Sequence, residues 1–177
     1  MKKFLVIIFV LVIAFSLTLT GCSKKTVIDV DAVTTASIVN HEDDLATALS
    51  VNGNWIVAVV NDIYSKKDVV IEGDFYNKGD TANDLYRKIA LYAQDEDHNV
   101  TARFTLVAKK LTITSTNTKI QGGTFKGDVY VQANGFTVQD ATIDGNIYFS
   151  SQEYKDSFVL PTDEGKAGTV TGSMKVK

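Results

Sequence analysis

Few side chains in this chain are spaced to do chemistry. Cys22 is its only cysteine, and it directly follows Leu19-Thr20-Gly21 at the end of an apolar stretch. A single thiol can accept a covalent group, but it forms no intrachain disulfide and supplies no thiolate set for zinc. His41 and His98 are the only histidines, and neither stands in a motif with paired carboxylates. Asp95-Glu96-Asp97-His98 carries the carboxylate oxygens that calcium takes. The cluster lacks EF-hand spacing and the Gly-Gly-x-Gly-x-Asp repeat of calcium-binding rolls, so it reads as a solvated hairpin turn. No serine occupies a Gly-x-Ser-x-Gly elbow. Asn99-Val100-Thr101 matches a glycosylation sequon, a three-residue pattern that by itself assigns no site. The residue types therefore assign no catalytic set, no metal site and no cofactor.

The stretch before Cys22 has the layout of an export signal. Lys2 and Lys3 give a positive start, Phe4 to Phe15 is a twelve-residue run without a polar side chain, and Ser16 to Gly21 is small and weakly polar. The apolar run is short for a membrane span. Leu19-Thr20-Gly21-Cys22 resembles the lipobox of bacterial lipoproteins. The resemblance implies that the Cys22 thiol receives a diacylglyceryl group, that the chain is cut between Gly21 and Cys22, and that the product is lipid-anchored outside the cytoplasm. A cleaved signal with a coincidental cysteine and an uncut signal anchor are the alternatives. Two acyl chains give stable anchoring where one is marginal, at ~0.8 kcal/mol per buried methylene.

Removing residues 1–22 takes Lys2 and Lys3 and no acid, which leaves 155 residues with a net charge of −5. That is enough chain for one domain with a core. An acidic chain gives no electrostatic footprint for nucleic acid and no polybasic patch to reinforce a lipid anchor. The only proline is Pro161, so no Pro-rich stalk separates anchor from domain. The expected organisation is a signal over 1–21, a lipidated cysteine and tether over 22–36, and a single domain over 37–177.

The elements that must position any site are set by an internal repeat. Lys119-Ile-Gln-Gly-Gly-Thr-Phe-Lys-Gly-Asp-Val-Tyr-Val131 and Thr137-Val-Gln-Asp-Ala-Thr-Ile-Asp-Gly-Asn-Ile-Tyr-Phe149 align at an offset of eighteen residues. Gln121 and Gln139, Thr124 and Thr142, Gly127 and Gly145, and Tyr130 and Tyr148 are identical pairs. Shortened copies appear at Val170 to Val176 and at Ile71 to Phe75, with Gly73 placed three periods before Gly127. Phe125, Val129 and Val131 fall on one face of a strand, and Lys126, Asp128 and Tyr130 on the other. The glycine between them marks a corner or a close backbone approach. Short strands, each with one apolar face, cannot stand alone and must stack. The expected fold is all-β: a parallel β-helix, or β-solenoid, with ~18-residue rungs.

The repeat resembles those of right-handed β-helix proteins, and its Gly-Asp-Val-x-Val and Gly-Asn-Ile-x-Phe rhythm is similar to that of bactofilins, the polymer-forming cytoskeletal proteins. The resemblance covers about a third of the chain. It implies a β-helix and end-to-end assembly without a nucleotide. The chain departs from that family in its interrupted repeat and its export signal.

Ahead of the repeat, Asn40 to Ser50 reads as a short capping helix with Asn40 as N-cap, acids in the first turn, an apolar stripe of Leu45, Ala48 and Leu49, and Gly53 as its stop. Trp55 to Val60 reads as a strand covered on both faces, with Trp55 in the core. Residues 76–88 read as a loop. Ile89 to Gln94 and Val100 to Val107 read as a hairpin insertion, and 150–168 as a second insertion. Nothing resembling a cap follows Val176, which points to an open carboxy-terminal rung and self-association through it.

Tyr130 over Tyr148, Lys126 over Asp144 and Asp128 over Asn146 form the expected surface ladder. Such cross-strand pairs stabilise a sheet by ~0.2–1 kcal/mol each, and an aromatic ladder can also meet a sugar. Two functions follow. One is a non-enzymatic envelope scaffold or self-assembling surface protein, held to the membrane through lipid on Cys22 and facing an envelope glycan or protein. The other is a carbohydrate-binding or lyase-like protein, against which stand only two arginines, Arg87 and Arg103, both outside the clear repeats.

Overall fold

The computed structural model describes residues 36–177, so Gly21, Cys22 and the export signal lie outside the described residues. The described chain is dominated by strands arranged in parallel sheets. The first sheet is built from β1 (Ala36–Val39), β2 (Ile56–Val59), β5 (Arg87–Ala90), β9 (Thr118–Gln121) and β11 (Thr137–Gln139), side by side in that order. The second contains β3 (Ile63–Tyr64), β4 (Val69–Ile71), β8 (Thr105–Ile113), β10 (Thr124–Val131), β12 (Thr142–Asp144), β13 (Ile147–Phe149), β14 (Thr169–Val170) and β15 (Met174–Val176). The chain alternates between them: it passes from the first sheet to the second directly after β2, β9 and β11, and after β5 by way of residues 91–104.

The register carries the eighteen-residue repeat. Thr124, Phe125 and Lys126 pair with Thr142, Ile143 and Asp144, and Val129, Tyr130 and Val131 with Ile147, Tyr148 and Phe149. In the first sheet, Lys119, Ile120 and Gln121 pair with Thr137, Val138 and Gln139 at the same offset. The inward positions are apolar apart from a few, chiefly Arg87 and Thr118. Val57, Ile89, Ile120 and Val138 from one sheet meet Leu106, Phe125, Val129 and Ile143 from the other in a single buried cluster. Burying each such side chain stabilises the fold by roughly 1.5–3 kcal/mol.

Glycine is required where the layers touch. Gly127, at φ +139, turns β10 opposite an extra residue in β8, and a Cβ there would fall on the carbonyl oxygen of Ala108. A Cβ at Gly145 would fall on the carbonyl of Gly127, and one at Gly172 would crowd that of Gly145. Gly73 belongs to a different column. Val69 to Ile71 pairs with Leu111 to Ile113, so Gly73 sits at the corner occupied by Ser115, whose hydroxyl donates to the Gly73 carbonyl. The three-period spacing to Gly127 is therefore coincidental, because two excursions lengthen the intervening chain.

Helix α1 (Glu42–Leu49) lies between β1 and β2, so a strand precedes the capping helix. Its N-cap is His41, one residue after the expected Asn40, and no side chain caps it. Leu45, Ala48 and Leu49 are buried against β1 and β4. Glu42 fastens the other end of this cover, accepting from the backbone N–H of Lys66 at 2.6 Å and from the Ser65 hydroxyl at 3.3 Å. Strand β2 is covered on one face only: Val57 and Val59 are fully buried, while Ile56 and Ala58 are partly exposed.

The expected loop over 76–88 holds a short 3-10 turn at Asn77–Gly79 and already enters β5 at Arg87. The hairpin insertion is narrower than expected, with β6 (Tyr92–Gln94) antiparallel to β7 (Val100–Arg103). The flanking residues belong to the parallel sheets. The second insertion folds into α2 (Gln152–Asp156) and a segment whose Phe158 packs against Phe136 and Phe149, both at 5.5 Å between ring centroids. The carboxy-terminal end is thus partly covered by a segment that precedes the last strands in sequence. Among the described residues, no helix is long and apolar enough to cross a membrane.

Candidate functional site

Two outer faces carry concentrated polar and aromatic side chains. On the second sheet the strand alternation turns Tyr130 and Tyr148 outward, directly opposite one another, with ring centroids 5.0 Å apart. Their positions follow from the inward burial of Val129, Val131, Ile147 and Phe149. Lysines close both ends of the pair: Lys110 Nζ lies 4.8 Å from the Tyr130 centroid and Lys177 Nζ 3.5 Å from that of Tyr148. Asp128 Oδ1 accepts from the backbone N–H of Asn146 at 3.1 Å and from its side-chain amide at 2.9 Å. Asn146 Oδ1 in turn accepts from the Ser173 backbone N–H at 3.0 Å. Lys126 and Asp144 form a solvent-exposed pair at 3.7 Å, a geometry that adds little stability.

A second array lies on the outer face of the first sheet, and the sequence reading missed it. Tyr86 and Lys88 flank the inward Arg87, so alternation turns both outward. Lys88 stands opposite Lys119 in the paired register. Lys119 Nζ lies 5.5 Å from the Tyr86 centroid, and Trp55 leans on the same ring at 6.0 Å. Lys88 Nζ donates to the Tyr92 hydroxyl at 2.7 Å and lies 5.1 Å from its ring. Tyr92, carried by the hairpin, is pressed over Gly122, where a Cβ would enter its ring. Trp55 is half-buried on this face rather than in the core, and its indole N–H has no partner among the described residues.

Burial, with smaller contributions from Lys88 and Lys166, pulls the Lys119 ammonium below its ordinary range. Burial also raises the Tyr86 phenol, assisted by Tyr92. The lysine pair was hard to read because Lys88 and Lys119 are separated by the hairpin insertion and do not share the eighteen-residue spacing.

The remaining candidates are engaged locally. Asp95 Oδ1 accepts from the backbone N–H of Asp97 at 3.0 Å and of Asn99 at 2.8 Å, closing the β6–β7 turn. The bond from the Asn99 N–H holds its carboxyl below the usual aspartate range. His98 Nδ1 lies 2.9 Å from the Gln94 amide. Arg103 pairs with Asp140 at 2.9 Å and also donates to the Gly122 carbonyl. Arg87 is buried and donates to the carbonyls of Ala48, Ser50 and Glu72. No cluster of three or more His, Cys, Asp or Glu side chains suited to a metal ion occurs among the described residues.

Comparison with protein-family models, with curated proteins and with solved structures gives no match to this chain.

Proposed function

We propose that the chain is an exported lipoprotein, anchored through Cys22, whose folded part is a parallel β-solenoid acting as a non-enzymatic scaffold in the cell envelope. The observation that carries this reading is the shared eighteen-residue register that joins β9 to β11 in one sheet and β10 to β12 and β13 in the other, with the chain visiting the two sheets in turn. A coil of this kind is held by backbone pairing between successive turns and presents fixed outer faces. Local engagement of the arginines supports a scaffold over a lyase: Arg87 is committed to backbone carbonyls, and Arg103 to Asp140 and the Gly122 carbonyl.

Fatty-acid labelling in growing cells tests the anchor. Label is expected in the native chain and absent in Cys22→Ala; equal labelling of the two would overturn it.

End-to-end self-association is a second reading, favoured by the edge formed by β14 and β15. Met174 is 40% exposed there and Val176 41%. Light scattering and negative-stain imaging of residues 23–177 across a concentration series separate the readings. Filaments or dimers support assembly, and a strict monomer leaves only a scaffold that works through other molecules.

A further inference from the structure

The outer face of the first sheet carries an unneutralised lysine pair. Like charges placed directly opposite on paired strands destabilise a sheet. Lys88 and Lys119 occupy such positions. The ion pairs among the described residues are Arg103–Asp140 and Lys126–Asp144, so no carboxylate offsets either lysine. Lys166 lies close enough to act on Lys119 as well. What surrounds the charges is aromatic: Tyr86 and Trp55 beside Lys119, and Tyr92 of β6 beside Lys88. Ring faces hold the ammonium groups in place without cancelling their charge. The second sheet also sets Lys110 and Lys177 against rings, but there Lys126 stands opposite Asp144 and Lys110 opposite Asp128, and no two lysines face each other in the paired register.

We infer that this face is a binding site for a carboxylated polysaccharide, with Lys88 and Lys119 meeting the carboxylates and Trp55, Tyr86 and Tyr92 meeting the apolar faces of the sugar rings. The charge pattern selects this class of partner. Three lysines on a chain of net charge −3 make a local positive spot. They do not make the extended basic groove that tracks a phosphate backbone. Membrane attachment through interfacial aromatics needs rings that reach into the lipid headgroups. Trp55, Tyr86 and Tyr92 are instead half-buried along the sheet. A ligand here would also relieve the repulsion between the two lysines, so its carboxylate would bind where the protein's own charge is least satisfied. The inference uses the extracytoplasmic placement only to name a glycan as the source of the anion; the binding itself does not depend on the anchor.

Trp55 is the only tryptophan in the chain, so its fluorescence reports on this face. The full chain, extracted in a polyoxyethylene detergent, is titrated with polygalacturonate and with its fully methyl-esterified, uncharged form. A saturable change is expected with the acidic polymer and none with the neutral one. The combined Lys88→Gln and Lys119→Gln variant is expected to weaken binding at least tenfold, and Lys88→Gln alone to weaken it measurably. Lys110→Gln, on the other sheet, should bind as the native chain does, with circular dichroism verifying the fold of each variant. Equal affinity in the lysine variants, no saturable change with the acidic polymer, or a response only to short-chain anionic phospholipid would overturn the site. Failure of fatty-acid labelling would leave this result standing, and the reverse also holds.

Discussion

Arg87 joins three parts of the chain that are distant in sequence. It lies in β5, its guanidinium donates to the Ala48 and Ser50 carbonyls at the end of α1 and to Glu72 at the corner after β4, and it rests 4.0 Å from the centroid of Phe75. A helix end leaves carbonyls without partners and carries partial negative charge. Helix α1 has no basic residue in its own last turn, so a cation from another element fills that role. Burial lowers the Arg87 guanidinium to about 10, which still leaves it charged at neutral pH. Gly53 keeps the approach open, because a Cβ there would strike the Ala48 carbonyl and crowd the guanidinium. The expected helix stop therefore works as a clearance. Arg87→Ala is expected to destabilise the fold by about 3–5 kcal/mol, combining unsatisfied carbonyls with a cavity. Arg87→Lys should recover only part of that, since one ammonium cannot serve the same fork of acceptors. Urea unfolding measures both, and an unchanged midpoint in Arg87→Ala would contradict the role.

At the scale of elements, the glycine column of Gly127, Gly145 and Gly172 decides how closely successive strands approach. The repeat showed Gly127 and Gly145 as equivalent because nothing is inserted between them. It placed Gly73 wrongly because the 3-10 segment and the β6–β7 hairpin add residues that periodicity counts as part of the repeat. The same insertions blurred the strand ends near Arg87 and Thr105, where hairpin and sheet residues have similar composition. Gly127→Ala combines a positive φ with a collision against the Ala108 carbonyl. It is expected to cost at least ~1–3 kcal/mol from backbone strain alone. Gly165→Ala, at φ +74 in an exposed turn with no atom near its Cβ, gives the cost of a left-handed backbone alone. A larger loss of thermal stability is expected in Gly127→Ala, which adds a more extreme φ and the collision; equal losses would remove both from the account.

For the whole molecule, the ends matter as much as the repeat. Helix α1 covers one end, fixed by Leu45, Leu49 and the Glu42 contacts to residues 65–66. At the other, Phe158 lies over Phe136 and Phe149, and Tyr154 and Leu160 pack beside the core. Short, partly covered edges limit pairing with other chains. Phe158→Ala is expected to destabilise by about 1–3 kcal/mol, less than the ~3–5 typical of a fully buried phenylalanine, because Phe158 is only partly buried. It should also raise binding of an apolar dye by uncovering Phe136 and Phe149. Neither change, measured by thermal unfolding and dye fluorescence, would leave the cover without a structural role.

Local pattern was sufficient for the strand-dominated class, the alternation of inward and outward residues, the glycine corners within 119–149 and the pairing of Tyr130 with Tyr148. Each depends only on a period of two along a strand and a constant spacing between copies, and both are written in the order of the residues. Other features depend on which distant segments share a layer. The meeting of Lys88 with Lys119, the capture of α1 by Arg87, and the folding of residues 150–168 over the last strands were settled only by tertiary structure. Insertions break the constant spacing there, so the partners are chosen by packing and by the need of buried carbonyls for a donor.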